Sequence, residues 1–299
     1  MAPPLTKEKR PFRPRLPNFL KQSIPPVGGP AGDGLNNVRD AIADFKMNTV
    51  CVEAKCPNRT HCFNRGTLAF QILGNICTRS CGFCAEKFGN PSGSVDETES
   101  IRLVEAAKRL QIKHAVITSP SRDDLFDGGA SQFAALVRQF RKELPRVTVE
   151  VLTPDFMARA ESLQTVFESR PDIFNHNIET VRRLTPKVRS KATYDRSLFV
   201  LREAAKAGLT TKSGLMVGHG EGMEELTEAF NDLAEAGCRA LTIGQYLPPS
   251  THHLPLLKLY NPDEFDSLRR KALEYGFLDV SAGPLVRSSY HADEAATLK

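Results

Sequence analysis

From residue 69 onward, short runs rich in β-branched and aromatic residues alternate with longer runs whose apolar positions recur every three or four residues. The short runs, at 69–76, 114–119, 147–153, 173–179, 212–218 and 240–247, predict strands. The intervening stretches, near 98–110, 130–143, 156–168, 195–207, 223–236 and 262–275, predict helices, and Pro262 suits a first helical turn, where its missing N–H is not needed. Such alternation implies parallel strands joined by crossover helices, so the pattern predicts an α/β fold of six β/α units, a barrel or a partial (β/α)6 barrel. The polar, glycine-rich stretches SPSRDDLFDGG (119–129), HGEG (219–222) and QYLPPSTHH (245–253) all follow strands. In a parallel barrel such loops share one rim, and that rim carries the active site.

Upstream, Leu35, Val38, Ile42 and Phe45 are spaced as on one face of a short helix over 34–46. Residues 1–31 are rich in proline and in Lys and Arg and show no periodicity. They read as an extended arm, either disordered or laid across the body on Phe12, Leu16, Phe19 and Leu20. The expected organisation is a basic arm (1–33), a cysteine-rich segment (34–68), a partial barrel (69–280) and a C-terminal segment (281–299). With 40% hydrophobic and 25% charged residues the chain has a globular composition, and a net charge of +5 favours acidic partners only mildly and does not indicate nucleic acid. No run approaches the roughly 18–20 apolar residues of a membrane span, and no apolar N-terminal run resembles a secretory signal, so a cytoplasmic location without membrane contact is expected.

Seven cysteines in a reducing compartment point to metal or redox chemistry, and six of them lie between residues 51 and 84. CTRSCGFC sets Cys77, Cys81 and Cys84 in a C-x3-C-x2-C array at the predicted end of the first strand. Three thiolates on a [4Fe-4S] cluster leave one iron open to an exogenous ligand, whereas an electron carrier would normally have four. A zinc site is the alternative, but neither a fourth cysteine nor a nearby histidine completes one. CVEAKCPNRTHC sets Cys51, Cys56 and Cys62 in a second trio, C-x4-C-x5-C, which by itself could also be a zinc loop closed by His61.

C-x3-C-x2-C with Phe83 before the last cysteine resembles the signature of radical S-adenosylmethionine enzymes, whose partial β/α barrel agrees with the strand count. The resemblance implies that S-adenosylmethionine chelates the open iron of a [4Fe-4S] cluster on Cys77, Cys81 and Cys84 and is cleaved to a 5′-deoxyadenosyl radical. The upstream trio, GTLAFQILGNICTRSCGFC and the C-terminal GPLVRSSYHADE together resemble the lipoyl synthase family. So do LPNFLKQSIPP (16–26), TSPSRDDLFDGG (118–129), PDIFNHNIETV (171–181), TKSGLMVGHGE (211–221) and TIGQYLPPSTHHLP (242–255). The likeness thus runs nearly the length of the chain, with departures at Pro120, Ser121 and Gly222. It implies that Cys51, Cys56 and Cys62 bind an auxiliary [4Fe-4S] cluster and that a serine of RSSY is its fourth ligand. Spacing does not separate Ser288 from Ser289; the resemblance favours Ser289. Without the cysteines, RSSY would read as a polar turn.

The implied reaction inserts two sulfurs at C6 and C8 of an octanoyl chain carried on a lysine, consuming two S-adenosylmethionine molecules. The implied partners are octanoylated lipoyl carrier domains of 2-oxoacid dehydrogenase E2 subunits and of the glycine cleavage H protein, an electron donor and an iron–sulfur carrier. Another sulfur-inserting synthase or a methylthiotransferase would share the Cys77 array but lack both other motifs. A zinc-stabilised binding protein would be colourless.

Asp127, Gly128 and Gly129 follow the second strand, where the superfamily positions the methionine amino group, although the glycines could equally form a turn with positive φ. Period-two geometry puts Asn175, Asn177 and Glu179 on one face of the fourth strand, suited to adenosyl or ribose contacts, with Phe174, His176 and Ile178 opposite. His176 reads as a packed histidine, His252 and His253 as shapers of a loop, and Cys238 as a buried free thiol. Lys212, Arg122 and Arg287 are candidates to hold substrate carbonyls or the methionine carboxylate, or to be solvated.

Overall fold

A computed structural model of the chain describes residues 17–20, 30–54, 56, 58–91 and 95–289. The expected arm therefore lies largely outside the described residues. Within it Asn18–Leu20 form a single 3-10 turn that buries Leu20, and residues 30–33 already belong to the first helix. The first helix, α1, begins earlier than the periodicity suggests, at Pro30–Asp44. It buries Val38 and Ala41 and leans Leu35, Ile42 and Phe45 on the core. β1 (Asn48–Thr49), α2 (Val50–Glu53) and α3 (Arg59–Asn64) follow.

Next come β2 (Thr67–Gln71), a small parallel ribbon of β3 (Ile76–Cys77) and β4 (Lys87–Phe88), and α4 (Glu99–Arg109). β5 (His114–Thr118), α5 (Ala130–Glu143), β6 (Thr148–Leu152), α6 (Ala160–Glu168) and β7 (Ile173–Asn175) continue the alternation. After α7 (Thr185–Val188) and α8 (Tyr194–Lys206) the chain runs through β8 (Thr210–Val217), α9 (Met223–Glu235), β9 (Ala240–Gln245), α10 (Pro262–Leu273) and β10 (Asp279–Gly283). Asn261 caps α10 by accepting from the Glu264 N–H, with Pro262 in the first turn. The sheet order is β1-β2-β5-β6-β7-β8-β9-β10. β1 is antiparallel to β2, and every other pair is parallel. This is the partial barrel of six β/α units, extended at its edges by β1 and by β10, two strands too short or too polar to stand out in the sequence.

Alternation along each strand sorts the side chains. Leu68, Phe70, Ala115, Ile117, Val149, Val151 and Phe174 pack under α4, α5 and α6, while Leu215, Val217, Leu241 and Ile243 pack under α8, α9 and α10. The other face is concave and polar. Glu150 on β6 accepts from Lys212 Nζ on β8 at 3.2 Å and from Asn175 Nδ2 on β7 at 2.7 Å, and His114 on β5 stands 3.6 Å away. Burial alone would raise the Glu150 pKa, but Lys212, His114 and Asn175 outweigh it and hold the carboxyl below its ordinary value. Side chains from three other strands meet on this one carboxylate because the sheet curls around it.

Candidate active site

The first strand stops at Gln71, short of the expected 76. Leu73 (φ 64) and Gly74 (φ 82) turn the chain in the left-handed region, so Cys77 sits in the separate β3–β4 ribbon above the sheet. There Cys77, Cys81 and Cys84 line one cavity of about 230 Å3 with Arg79, Phe83 and Glu86. The strand ends beneath contribute Gln71, Thr118, Leu152, His176, Asn177 and Glu179, and Arg189 closes the side. None of the cysteines is in a disulfide. The thiols ring a space rather than a point: among the described residues no three His, Cys, Asp or Glu side chains converge closely enough for a single ion. Three thiols around a cavity of this size leave room for a multi-atom group.

Burial pushes the Cys84 thiol up to about 12 and raises Cys81 as well, although the Ser190 N–H donating to Cys81 Sγ at 3.3 Å opposes the latter shift. Both are protonated near neutral pH, so binding an electrophilic metal group would release protons. Arg79, inside the CTRSC turn, is the residue the sequence reading missed. Its buried guanidinium donates to Asp123 at 2.7 Å and to Asp155 at 2.6 Å, pinning the thiol loop to the loops after β5 and β6. Arg189 donates to Asn177 O and to Ser197 Oγ, and burial lowers the His176 pKa to about 4, leaving a neutral ring between Thr153 O and Ser197 Oγ.

A second cavity, of about 270 Å3, shares Val50, Phe83, Cys84, Asn177 and Glu179 with the first. It continues over Gly214, Met216, Thr242, Gly244 and Tyr246 to Arg287 and Ser288. A Cβ on Gly244 would strike the Val286 carbonyl, so glycine here lets the C-terminal segment close on the sheet. That segment is also tied to the upstream trio, because Asn58 Nδ2 donates to Leu285 O at 2.7 Å and the Arg287 guanidinium interacts electrostatically with Cys56. The Cys56 N–H donates to Cys51 O at 3.0 Å, and Cys51 and Cys62 lean on the same core. Burial raises the Cys51 pKa. Ser289 is half-buried next to Ser288 and outside the cavity lining; Tyr290 lies outside the described residues.

Three expected cofactor contacts stand elsewhere. The Asp127 carboxylate accepts from the Gly129 and Ser131 N–H groups at the start of α5, and Gly128 (φ 65) lies against Phe156; neither lines either of these two cavities. Asn175 points to Glu150 under the site because β7 ends there, and the bend breaks the period-two pattern. The bend brings His176 and Asn177, consecutive residues expected on opposite faces, to the same cavity along with Glu179 (φ 69). Lys212 is paired with Glu150 and Arg122 with Asp124, which leaves Arg287 as the cation of that trio in a cavity next to thiols. Cys238 is buried away from both groups, and burial raises its pKa to about 12.

The radical SAM superfamily model matches residues 72–233, more than half of the chain. A protein named lipoyl synthase from Rubrobacter xylanophilus is 50% identical over 280 residues, covering 93% of this chain and 85% of its own. Another so named, from Caldanaerobacter subterraneus, is 47% identical over 286 residues, covering 95% and 98%.

The chain belongs to the lipoyl synthase family.

It is thus a radical S-adenosylmethionine enzyme, as the family is. The fold is shared more widely. Methylornithine synthase (PylB) superposes with a TM-score of 0.54 at 14% identity over 85% of each chain. Streptococcus suis SuiB bound to S-adenosylmethionine gives 0.58 at 14% identity over 83% of this chain and 55% of that one. Among the described residues of this lipoyl synthase family member, no helix is long and apolar enough to cross a membrane.

Proposed function

We propose that the protein inserts sulfur at C6 and C8 of an octanoyl chain on a carrier lysine, giving lipoyl-lysine. The observation that carries this reading is the second cavity, lined by Cys84 of the first thiol group and by Arg287 and Ser288 of the segment tied to the second. An extended acyl chain lying in it would pass from one group to the other.

The donor sets fit [4Fe-4S] clusters, with Cys77, Cys81 and Cys84 leaving one position for S-adenosylmethionine and Cys51, Cys56, Cys62 and Ser289 forming the auxiliary site. When bound, these groups would supply hydrogen abstraction from unactivated C–H bonds and the sulfur, chemistry that no side chain here offers. The protein's own residues bind and orient. Asn177 and Glu179, common to both cavities, would hold the ribose between them, and neutral His176 would act as a rigid wall. Gly214, where a Cβ would lie 2.6 Å from Thr242 Oγ1 and 2.8 Å from Asn177 Oδ1, keeps the concave face open for the chain. Ser288 would face the substrate and Ser289 the auxiliary group. The net charge of +5 favours encounter with acidic octanoylated carrier domains.

An anaerobic single turnover on an octanoyl-lysyl peptide with S-adenosylmethionine and a strong reductant, read by mass spectrometry, tests the reading. Wild type should give the lipoyl-lysyl mass. Cys51→Ala/Cys56→Ala/Cys62→Ala should still cleave S-adenosylmethionine and add no sulfur, and lipoyl product from that variant would overturn the reading.

A further inference from the structure

The loop from Tyr246 to Tyr260 crosses the mouth of the barrel from β9 to the thiol ribbon on the other side. Its base is fastened by one side chain: Gln245 Nε2 donates to Val217 O and Lys258 O, and Gln245 Oε1 accepts from the Tyr260 N–H at 2.9 Å. Near the base, the Tyr246 ring stacks on His219 with centroids 4.1 Å apart, and its hydroxyl donates to Leu254 O at 2.8 Å. At its far end the loop grips the CGFC turn in three ways. The Leu254 N–H donates to Gly82 O at 3.0 Å. The Leu254 side chain occupies the space a Cβ on Gly82 would need, with Cγ 2.9 Å from that position. His253 Nε2 lies 3.0 Å from Cys84 O, and its Nδ1 lies 2.8 Å from Ser250 Oγ.

The partners assign the proton. A carbonyl only accepts, so Nε2 carries the hydrogen, and Nδ1 then accepts from the Ser250 hydroxyl. The Cys84 carbonyl therefore selects the tautomer, and the Ser250 hydroxyl, turned to donate, braces the ring that holds it. The same loop contributes Tyr246, Leu247 and Pro249 to the second cavity.

We infer that Ser250 and His253 form a latch that fixes the backbone of Cys84, and that the loop bearing them links the occupant of the second cavity to the thiol turn of the first. His253 and Ser250 are positioning residues. Neither lines either of the two cavities, and both act through Cys84. The link rests on the functional reading above, whereas the latch itself does not.

The first test uses the full chain before cluster loading and follows alkylation of Cys84 by iodoacetamide, mapped by peptide mass spectrometry. His253→Leu, which cannot donate, should raise the Cys84 rate about fivefold, the factor expected for opening one hydrogen-bonded contact. Labelling of Cys51, Cys56 and Cys62 should stay at the native rate. His253→Gln, whose amide can donate to the carbonyl, should restore the native rate, which a general packing role for the ring would not allow. Ser250→Ala, which keeps the ring but removes the hydrogen bond that braces it, should give an intermediate rate, and it serves if His253→Leu does not fold. Equal Cys84 labelling in native and folded variant proteins would overturn the latch.

The second test loads the auxiliary-trio alanine variant with iron and sulfide and follows iron release to a chelator. His253→Leu should speed release about fivefold, again with rescue by His253→Gln. An octanoyl-lysyl peptide should slow release when His253 is present and have no effect in His253→Leu. An identical peptide effect with and without His253 would overturn the link, while the labelling result would still decide the latch. A failure of lipoyl formation leaves the labelling outcome untouched, so the two readings fail separately.

Discussion

Arg79 shows how much one buried cation can hold from inside a motif read for its thiols. The residue is 5% exposed, and its guanidinium bridges Asp123 and Asp155, which come from loops 44 and 76 residues further along. Nothing in CTRSC announces those partners, because the pairing exists only once β5 and β6 lie side by side. Replacing it by leucine leaves Asp155 with Arg196 alone and Asp123 with the more distant Lys191 alone, so Arg79→Leu should cost about 3 kcal/mol, read from the urea midpoint near neutral pH. Burial alone would raise the pKa of both aspartates, but Arg79 outweighs it and holds both carboxyls below the ordinary value of 3.8. A carboxylate with a depressed folded pKa stabilises above its unfolded pKa and loses that contribution as pH falls through the folded one. The native protein should therefore keep this stability above about pH 4 and lose it progressively below, and Arg79→Leu should flatten that acid limb. The thiols, by contrast, were legible at once, since their spacing alone defines two trios.

Among elements, the helices matched the periodicity to within a few residues, and the departures lie where the backbone leaves ordinary φ. The helix expected from 156 starts at Ala160 because Phe156, Met157 and Ala158 have φ of 45, 54 and 56. No glycine marks that left-handed turn. It exists because Asp155, held by Arg79 and Arg196, accepts from the Met157 N–H and forces the chain around. Met157→Gly should relieve about 1 kcal/mol of strain, losing only the weak sulfur contacts to Arg79 and Arg196, and a rise of a few degrees in the melting midpoint would show it. The fourth strand, expected to 179, ends at Asn175 for a related reason: Glu179 turns at φ 69 and pairs again only as an isolated bridge to Leu215. Asn58 makes the corresponding link between distant elements. Asn58→Ala should speed amide hydrogen exchange over 285–289 by roughly fivefold, as loss of one part-buried hydrogen bond predicts, while β8 and β9 stay protected.

For the whole molecule, alternation of strand and helix gave the six-unit architecture, and the two edge strands escaped it. β10 has the mixed sequence DVSAG, and it joins the sheet by pairing with β9 over its whole length. The expected division at 280 falls inside this strand, so the C-terminal segment begins as part of the sheet. A chain ending at Pro284 keeps β10 and both apolar layers. It should show near-native circular dichroism, bind about four irons rather than about eight, and retain S-adenosylmethionine cleavage without sulfur insertion. The hydrogen bond from Asn58 to Leu285 spans 227 positions. During synthesis the thiols of the upstream trio leave the ribosome long before the stretch that completes their surroundings, whereas those of CTRSCGFC need only the rim loops that follow. Translation itself thus imposes an order, in which the surroundings of the upstream trio are completed last, after those of the CTRSCGFC thiols.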